Sequence, residues 1–188
     1  QRMLELRDEG HSLNEMAVLY RSHYQSMEIQ MELTKRGIPF EIRSGLSFFE
    51  EAHIKDVLAY LKIFHNSSDE ISWGRILKLL ARIGPRTAEK IFQIIQQTPK
   101  PVEAIFTEAV IKVIPRGGEA AFKSFLGVVK ILSEQVAQPA AMIKTISESS
   151  YADYLRETYP NYQERLEDLE QLGSYAVQFK DFEEMLSS

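Results

Sequence analysis

The sequence has no cysteine, which excludes a disulfide framework and any zinc site built on thiolates, and makes a reducing, intracellular compartment the expectation. Its histidines stand at His11, His23, His53 and His65 with no i, i+4 pair, so their spacing gives no support to a metal site. No apolar run approaches the roughly 20 residues that span a bilayer, and no membrane partner is expected. The opening "QRMLELRDEG" begins with Gln and carries no signal pattern, so the chain is expected to be a piece of a longer protein. Internal repeats and low-complexity segments are missing. So is any G-x-x-x-x-G-K-S/T, the loop whose backbone cradles nucleotide phosphates. Positive charge is not in excess either: 22 Lys and Arg face 27 Asp and Glu, which argues against a general nucleic-acid coat.

What is present is a chain of 188 residues, 44% hydrophobic, long enough for one substantial core or two small ones. Its net charge of −5 conceals an asymmetry. Over 71–90 five cations (Arg75, Lys78, Arg82, Arg86, Lys90) face the single acid Glu89, a local balance of +4. Over 146–188 three cations face ten acids. One stretch is basic and the tail is acidic.

The run "MAVLYR" at 16–21 reads as a strand buried on both faces of a parallel sheet. Ser22 and Gln25 make a possible capping box for a helix over 24–36, with Gly37 as its C-terminal cap. "IPFEIR" at 38–43 alternates like a half-buried strand and would complete a strand-helix-strand unit. After Gly45 the pattern is helical. Ser47 and Glu50 form another candidate capping box, and Ile54, Val57, Leu58, Leu61 and Phe64 mark one apolar stripe, with Lys55, Asp56 and Lys62 on other faces. Further helices are predicted over 70–81, 86–97, 120–135, 140–158 and 162–186, with breaks at "TPKP" and "IPRGGE".

The stretch "LLARIGPRTAEKI" at 79–91 places cations and a Gly-Pro break between two apolar half-helices. The spacing of Leu77, Leu80, Ile83, Gly84, Pro85, Thr87, Ala88 and Ile91 resembles the helix-hairpin-helix DNA-binding motif. In such a hairpin, backbone N–H groups beside the positive end of the second helix offer a phosphate an anion site, indifferent to base sequence. Arg82, Ile83, Gly84, Arg86, Thr87 and Lys90 are the candidate DNA-binding residues. The chain departs from the motif at its first glycine, which here is Arg82. Read without the resemblance, "ARIGP" is a tight inter-helix turn with cations on a solvated face. The same motif occurs in DNA glycosylases, but 92–102, "FQIIQQTPKPV", has neither the Asp nor the Gly that such an enzyme needs downstream.

Over 16–91 the blocks "AVLYRSHYQSMEIQ", "GIPF", "GLSFFEEAHIKDVLAYLK" and then the hairpin resemble, in order and spacing, the segment around motif IV of the UvrD/Rep/PcrA group of superfamily 1 DNA helicases. "SYADYLRE" and "RLEDLEQL" resemble later helices of the same group more weakly. The resemblance implies a mainly α fold. Residues 1–43 would be the strand-helix-strand part of RecA-like domain 2A, and 44–188 the all-helical 2B subdomain with its helix-hairpin-helix. It also implies that Tyr20 packs on the adenine of ATP and that Arg21 is a catalytic arginine reaching the γ-phosphate. A guanidinium at the carboxyl end of a predicted parallel strand suits that task. From the residues alone, the better reading of Tyr20 is a sheet-end aromatic and of Arg21 a surface ion pair. Met27 and His23 replace an Arg and an Asn of the family pattern, so no role of theirs carries over.

The expectation is therefore a fragment of a cytoplasmic, bacterial-type, ATP-dependent 3′-to-5′ DNA helicase or translocase. ATP and Mg²⁺ would belong to the full-length parent, and the fragment alone would hydrolyse nothing. Its expected partners are the junction of single-stranded and duplex DNA, the remaining helicase core domains, and repair or replication proteins. Two rivals remain: a subunit of a helicase-nuclease, and a helical module that docks proteins without touching DNA.

Overall fold

The computed structural model describes residues 2–20, 23–42 and 48–187. Among them the regular elements are all helical. The chain divides into two compact units, Gln1–Phe40 and Glu41–Ser188.

The first unit holds α1 (Arg2–Asp8), a short 3-10 turn at Leu13–Glu15, and α2 (His23–Lys35). Gly37 takes φ +62° and donates its N–H to the Thr34 carbonyl at 2.9 Å, while Ile38 donates to that of Leu33 at 2.9 Å. That left-handed step is open to glycine at little cost and closes the helix. Within α2, the Gln30 amide donates to Ser26 Oγ at 2.8 Å, and both residues are buried.

The strand-helix-strand expectation is corrected here. The helix is present, but no strand occurs among the described residues, and 16–20 and 38–42 have no regular structure. An extended run becomes a strand only when a neighbour pairs its N–H and C=O groups, and among the described residues none does so. Leu19 is 95% exposed, the opposite of a strand buried on both faces. Apolar composition signalled a segment able to pair, not one that has paired. Arg21, Ser22, Arg43, Gly45 and Ser47 lie outside the described residues. The box of Ser47 and Glu50 does not open α3, whose N-cap is Glu51 without a side-chain cap, after a 3-10 turn at Phe48–Glu50.

The second unit is built around α3 (Ala52–His65), which packs against α4 (Glu70–Leu79), α9 (Pro139–Ser147), α11 (Tyr162–Ala176) and α12 (Phe182–Ser187). Ile54, Val57, Leu61 and Ile63 of α3 are buried, with Trp73, Ile76 and Leu77 of α4 against them in the same core. α5 (Pro85–Ile95) packs on α4 and on the one-turn helices α6 (Pro101–Ala104) and α7 (Glu108–Ile111). The long α8 (Glu119–Glu134) lies on α9, and α10 (Ser150–Thr158) on α9 and α11.

Two helices expected as continuous are broken. Between α9 and α10, Ser149 Oγ accepts from the Tyr151 N–H at 3.2 Å and starts a new helix. Between α11 and α12, the Asp181 carboxylate accepts from the Glu184 N–H at 2.9 Å, and Glu184 reaches back to the Lys180 N–H at 2.8 Å. That reciprocal capping resets the helix.

Polar side chains are buried on α3 as well. Asp56, off the apolar stripe as expected, is nonetheless only 3% exposed. It accepts from Arg75 Nη1 of α4 at 2.6 Å and from the Tyr151 hydroxyl of α10 at 2.9 Å. Burial first, and then the Asp56 carboxylate, push the Tyr151 phenol well above its usual range and keep it a donor. One turn earlier, Arg165 Nη1 lies 2.7 Å from His53 Nδ1. A guanidinium only donates, so Nδ1 accepts and His53 donates from Nε2 to Asp168 at 3.0 Å. Arg165 also stacks over Tyr159, 3.9 Å from the ring centroid. These bonds tie α3 to α4, α10 and α11, and so fix the base from which the α4–α5 hairpin projects.

Candidate nucleic-acid interface

The hairpin begins with an anchored α4. Asp69 caps it by accepting from the Ser72 N–H at 3.0 Å and the Ser72 hydroxyl at 2.7 Å. Trp73, fully buried, donates from its indole to the Ser67 carbonyl at 2.9 Å. α5 is amphipathic, with Ala88, Ile91, Phe92 and Ile95 buried and Arg86, Glu89 and Lys90 exposed.

Between the two helices the Ile83 N–H donates to the Leu80 carbonyl at 3.0 Å, closing a tight turn over Leu80, Ala81, Arg82 and Ile83. Arg82 takes φ +66°, the one non-glycine residue with positive φ among the described residues. With Ala81 not in that region, this is the pattern of a type II turn, whose third position favours glycine. Arg82 therefore holds a left-handed conformation that glycine would adopt at less cost. Ile83 points inward at 4% exposure and pins the turn to the core.

Gly84 is exposed and extended, at φ −86° and ψ 176°, and serves as the N-cap of α5 with Pro85 at its first position. Its carbonyl accepts from the Thr87 and Ala88 N–H groups, both at 3.0 Å. The N–H groups of Gly84 and Arg86 find no acceptor among the described residues, and they sit at the positive end of α5. A Cβ built on Gly84 would meet nothing within 4 Å. The folded chain by itself does not require glycine there.

Of the five cations counted in this stretch, Arg75 is committed to buried Asp56. Lys78, Arg82, Arg86 and Lys90 are exposed, and none has a carboxylate partner within 4.0 Å among the described residues. Arg86 and Lys90, four apart, share one face of α5. Thr87 is half-buried beside them. Between α4 and α5 runs a shallow groove of about 420 Å³, lined by Gly74, Lys78, Pro85, Ala88, Glu89 and Phe92 among others. Ile71, 83% exposed, stands at its edge.

A second turn abuts the first, and the sequence signalled it only as a break. In 114–118, Gly117 takes φ +84°, and a Cβ there would lie 3.9 Å from Arg82 Cγ. A Cβ on buried Gly118 would lie 3.2 Å from the Pro115 carbonyl oxygen and 3.5 Å from that of Ala81. The two turns thus meet backbone to backbone.

Of the residues the resemblance assigns to ATP, Tyr20 is half-buried in the irregular 16–20 run and Arg21 lies outside the described residues. Among the described residues no three His, Asp or Glu side chains gather as a metal site. Among the described residues no helix is long and apolar enough to cross a membrane.

The sequence profile of the UvrD-like helicase C-terminal domain matches residues 1–188. The chain belongs to that family. Among UvrD-like relatives, it is 30% identical over 187 residues to DNA helicase II of Escherichia coli (strain K12), covering 94% of this chain and 25% of that protein. It is 31% identical over 180 residues to the ATP-dependent DNA helicase PcrA of Staphylococcus epidermidis (strain ATCC 12228 / FDA PCI 1200), covering 93% and 24%. To the ATP-dependent DNA helicase Rep of Escherichia coli (strain K12) it is 30% identical over 178 residues, covering 90% and 26%. This UvrD-like chain spans about a quarter of the length of the relatives it matches.

Proposed function

We propose that the chain is the part of an ATP-dependent 3′-to-5′ DNA helicase that grips duplex DNA beside the fork through the α4–α5 hairpin. The observation that carries this is the hairpin itself: the N–H groups of Gly84 and Arg86 have no acceptor among the described residues, Arg82, Arg86 and Lys90 of the same hairpin are exposed without a carboxylate partner among those residues, and the fold leaves space beside Gly84. Two free donors at a helix N-terminus, with guanidinium and ammonium groups on the same hairpin, match a phosphodiester, whatever its base. The open space beside Gly84 lets a sugar-phosphate chain approach the backbone closely.

Residues 44–188 then correspond to subdomain 2B and 1–43 to part of domain 2A, in a cytoplasmic protein. Tyr20 and Arg21 would contribute the adenine and γ-phosphate contacts of a site whose Walker loop and Mg²⁺ ligands belong to other segments. The chain alone would bind DNA without hydrolysing ATP.

The test is fluorescence anisotropy of a duplex with a 3′ single-stranded tail, titrated with the chain and with the Arg82→Glu/Arg86→Glu variant at low and moderate salt. Salt-sensitive binding that the variant loses is expected. Gly84→Ala should keep the melting temperature and weaken binding. Absence of binding by the unsubstituted chain at low salt would overturn the reading. It would favour instead a protein-docking role, for which the groove with exposed Ile71 is the specific observation.

A further inference from the structure

We infer that the groove between α4 and α5 is a docking site for a basic amphipathic helix of a partner protein. That helix lays an aliphatic face along Gly74 and Ala88 and directs Lys or Arg side chains to Glu70 and Glu89. The inference does not depend on the hairpin's grip on DNA.

The groove follows about two turns of each helix, lined from α4 by positions 70, 74 and 78 and from α5 by 85, 88, 89 and 92. At its edge Ile71 is 83% exposed, on a helix held firmly by its Asp69 cap and by buried Trp73. An aliphatic side chain so exposed beside an apolar trough leaves area for a partner to cover.

Gly74 is an independent sign. Glycine inside a helix is less favourable than alanine, yet a Cβ at 74 would meet nothing within 4 Å. Nothing in the fold requires the missing side chain. Its absence lowers the floor of the groove and lets another chain approach the α4 backbone.

Charge selects the occupant. The ionisable side chains in the lining are Glu70, Lys78 and Glu89, all exposed, and none forms an ion pair within 4.0 Å among the described residues. Two carboxylates to one ammonium disfavour a phosphate backbone and match a segment whose apolar residues are flanked by Lys or Arg. The segment is helical, because α4 and α5 offer no strand edge. An extended chain in the groove would leave its N–H and C=O groups unpaired, whereas a helix pairs its own.

The test is fluorescence anisotropy, without DNA, of a labelled peptide of about 18 residues built from Leu and Lys in an amphipathic helical pattern. A Leu/Glu peptide of the same pattern is its counterpart. The Leu/Lys peptide should bind saturably and the Leu/Glu peptide should not. Glu70→Gln/Glu89→Gln should weaken binding about threefold to tenfold at low salt, and Glu157→Gln/Glu167→Gln, an equal charge change on exposed positions of α10 and α11, should not. Gly74→Leu fills the groove and should weaken binding about tenfold or more, with a melting temperature unchanged or raised. Ile71→Ser should weaken it too, and stands as the check if Gly74→Leu does not fold. Absence of Leu/Lys binding, equal binding of both peptides, or an equal loss in the control pair would overturn the inference, as would binding indifferent to Gly74→Leu and Ile71→Ser. A dimer of the chain in sedimentation velocity that Gly74→Leu dissociates would also overturn it, making the occupant a second copy. None of these outcomes bears on the loss of DNA binding by Arg82→Glu/Arg86→Glu, so the two readings fail separately.

Discussion

Arg82 carries two burdens: a left-handed backbone and an exposed, unpaired charge. For a residue with a Cβ the left-handed region costs roughly 1–2 kcal/mol, and glycine escapes that cost while giving back part of it as unfolded-chain entropy. Arg82→Gly is therefore expected to raise stability by about 0.5–1 kcal/mol in urea unfolding. On the reading of the hairpin as a phosphate grip, it should also weaken DNA binding. A loss of stability would mean that the Arg82 side chain contributes packing that outweighs its backbone strain. The sequence made the substitution visible, because the motif's first glycine was plainly an arginine. It could not show that the residue there takes a positive φ, since that depends on a turn in which Ile83 is buried and beside which the 114–118 turn lies.

At the scale of single elements, helix starts decide how the hairpin is held. Asp69 caps α4, the helix that carries both Trp73 and the entry to the turn. Partial burial acts to raise its carboxyl pKa, but hydrogen bonds from the Ser72 hydroxyl and N–H, with Lys62 nearby, more than offset this and leave it below the ordinary value. A carboxylate whose pKa is depressed on folding stabilises above its unfolded pKa, and that contribution is lost as pH falls through the folded value. Asp69→Ala should cost about 1 kcal/mol at neutral pH. The gap between variant and unsubstituted protein in urea unfolding should close as the solution is taken below the ordinary carboxylate range. A gap independent of pH would mean that the Ala variant loses packing and not a charged cap. Most helices were legible from apolar periodicity, and Gly37 was legible as a stop. The breaks at Ser149 and between α11 and α12 were not. Each depends on a side chain capping a nearby backbone N–H, a local choice that competes with helix continuation and leaves periodicity intact on both sides.

For the whole molecule, the two expected strands failed because a strand is a relation between segments, and composition reports only one member of the pair. Asp56 was legible as lying off the apolar stripe but not as buried, for a related reason. A helix buried on one face can be read from its stripe, but α3 is surrounded, and a carboxylate inside such a core is stable only through partners that lie far along the chain. Those partners, Arg75 and Tyr151 on Asp56, and Arg165 and Asp168 on His53, all fall within Glu41–Ser188, as does the core around Trp73. The helical unit thus contains every bond described here as fixing α3 and the hairpin. A chain starting at Glu41 should unfold in one cooperative step with a melting temperature within about 3 °C of the longer chain. In that shorter chain Asp56→Ala should cost about 2–4 kcal/mol, because Arg75 and the buried Tyr151 hydroxyl both lose their acceptor. Neighbouring, exposed Lys55→Ala should stay within about 0.5 kcal/mol. A broad, non-cooperative transition of the shorter chain would show that the first forty residues are needed to complete the helical core.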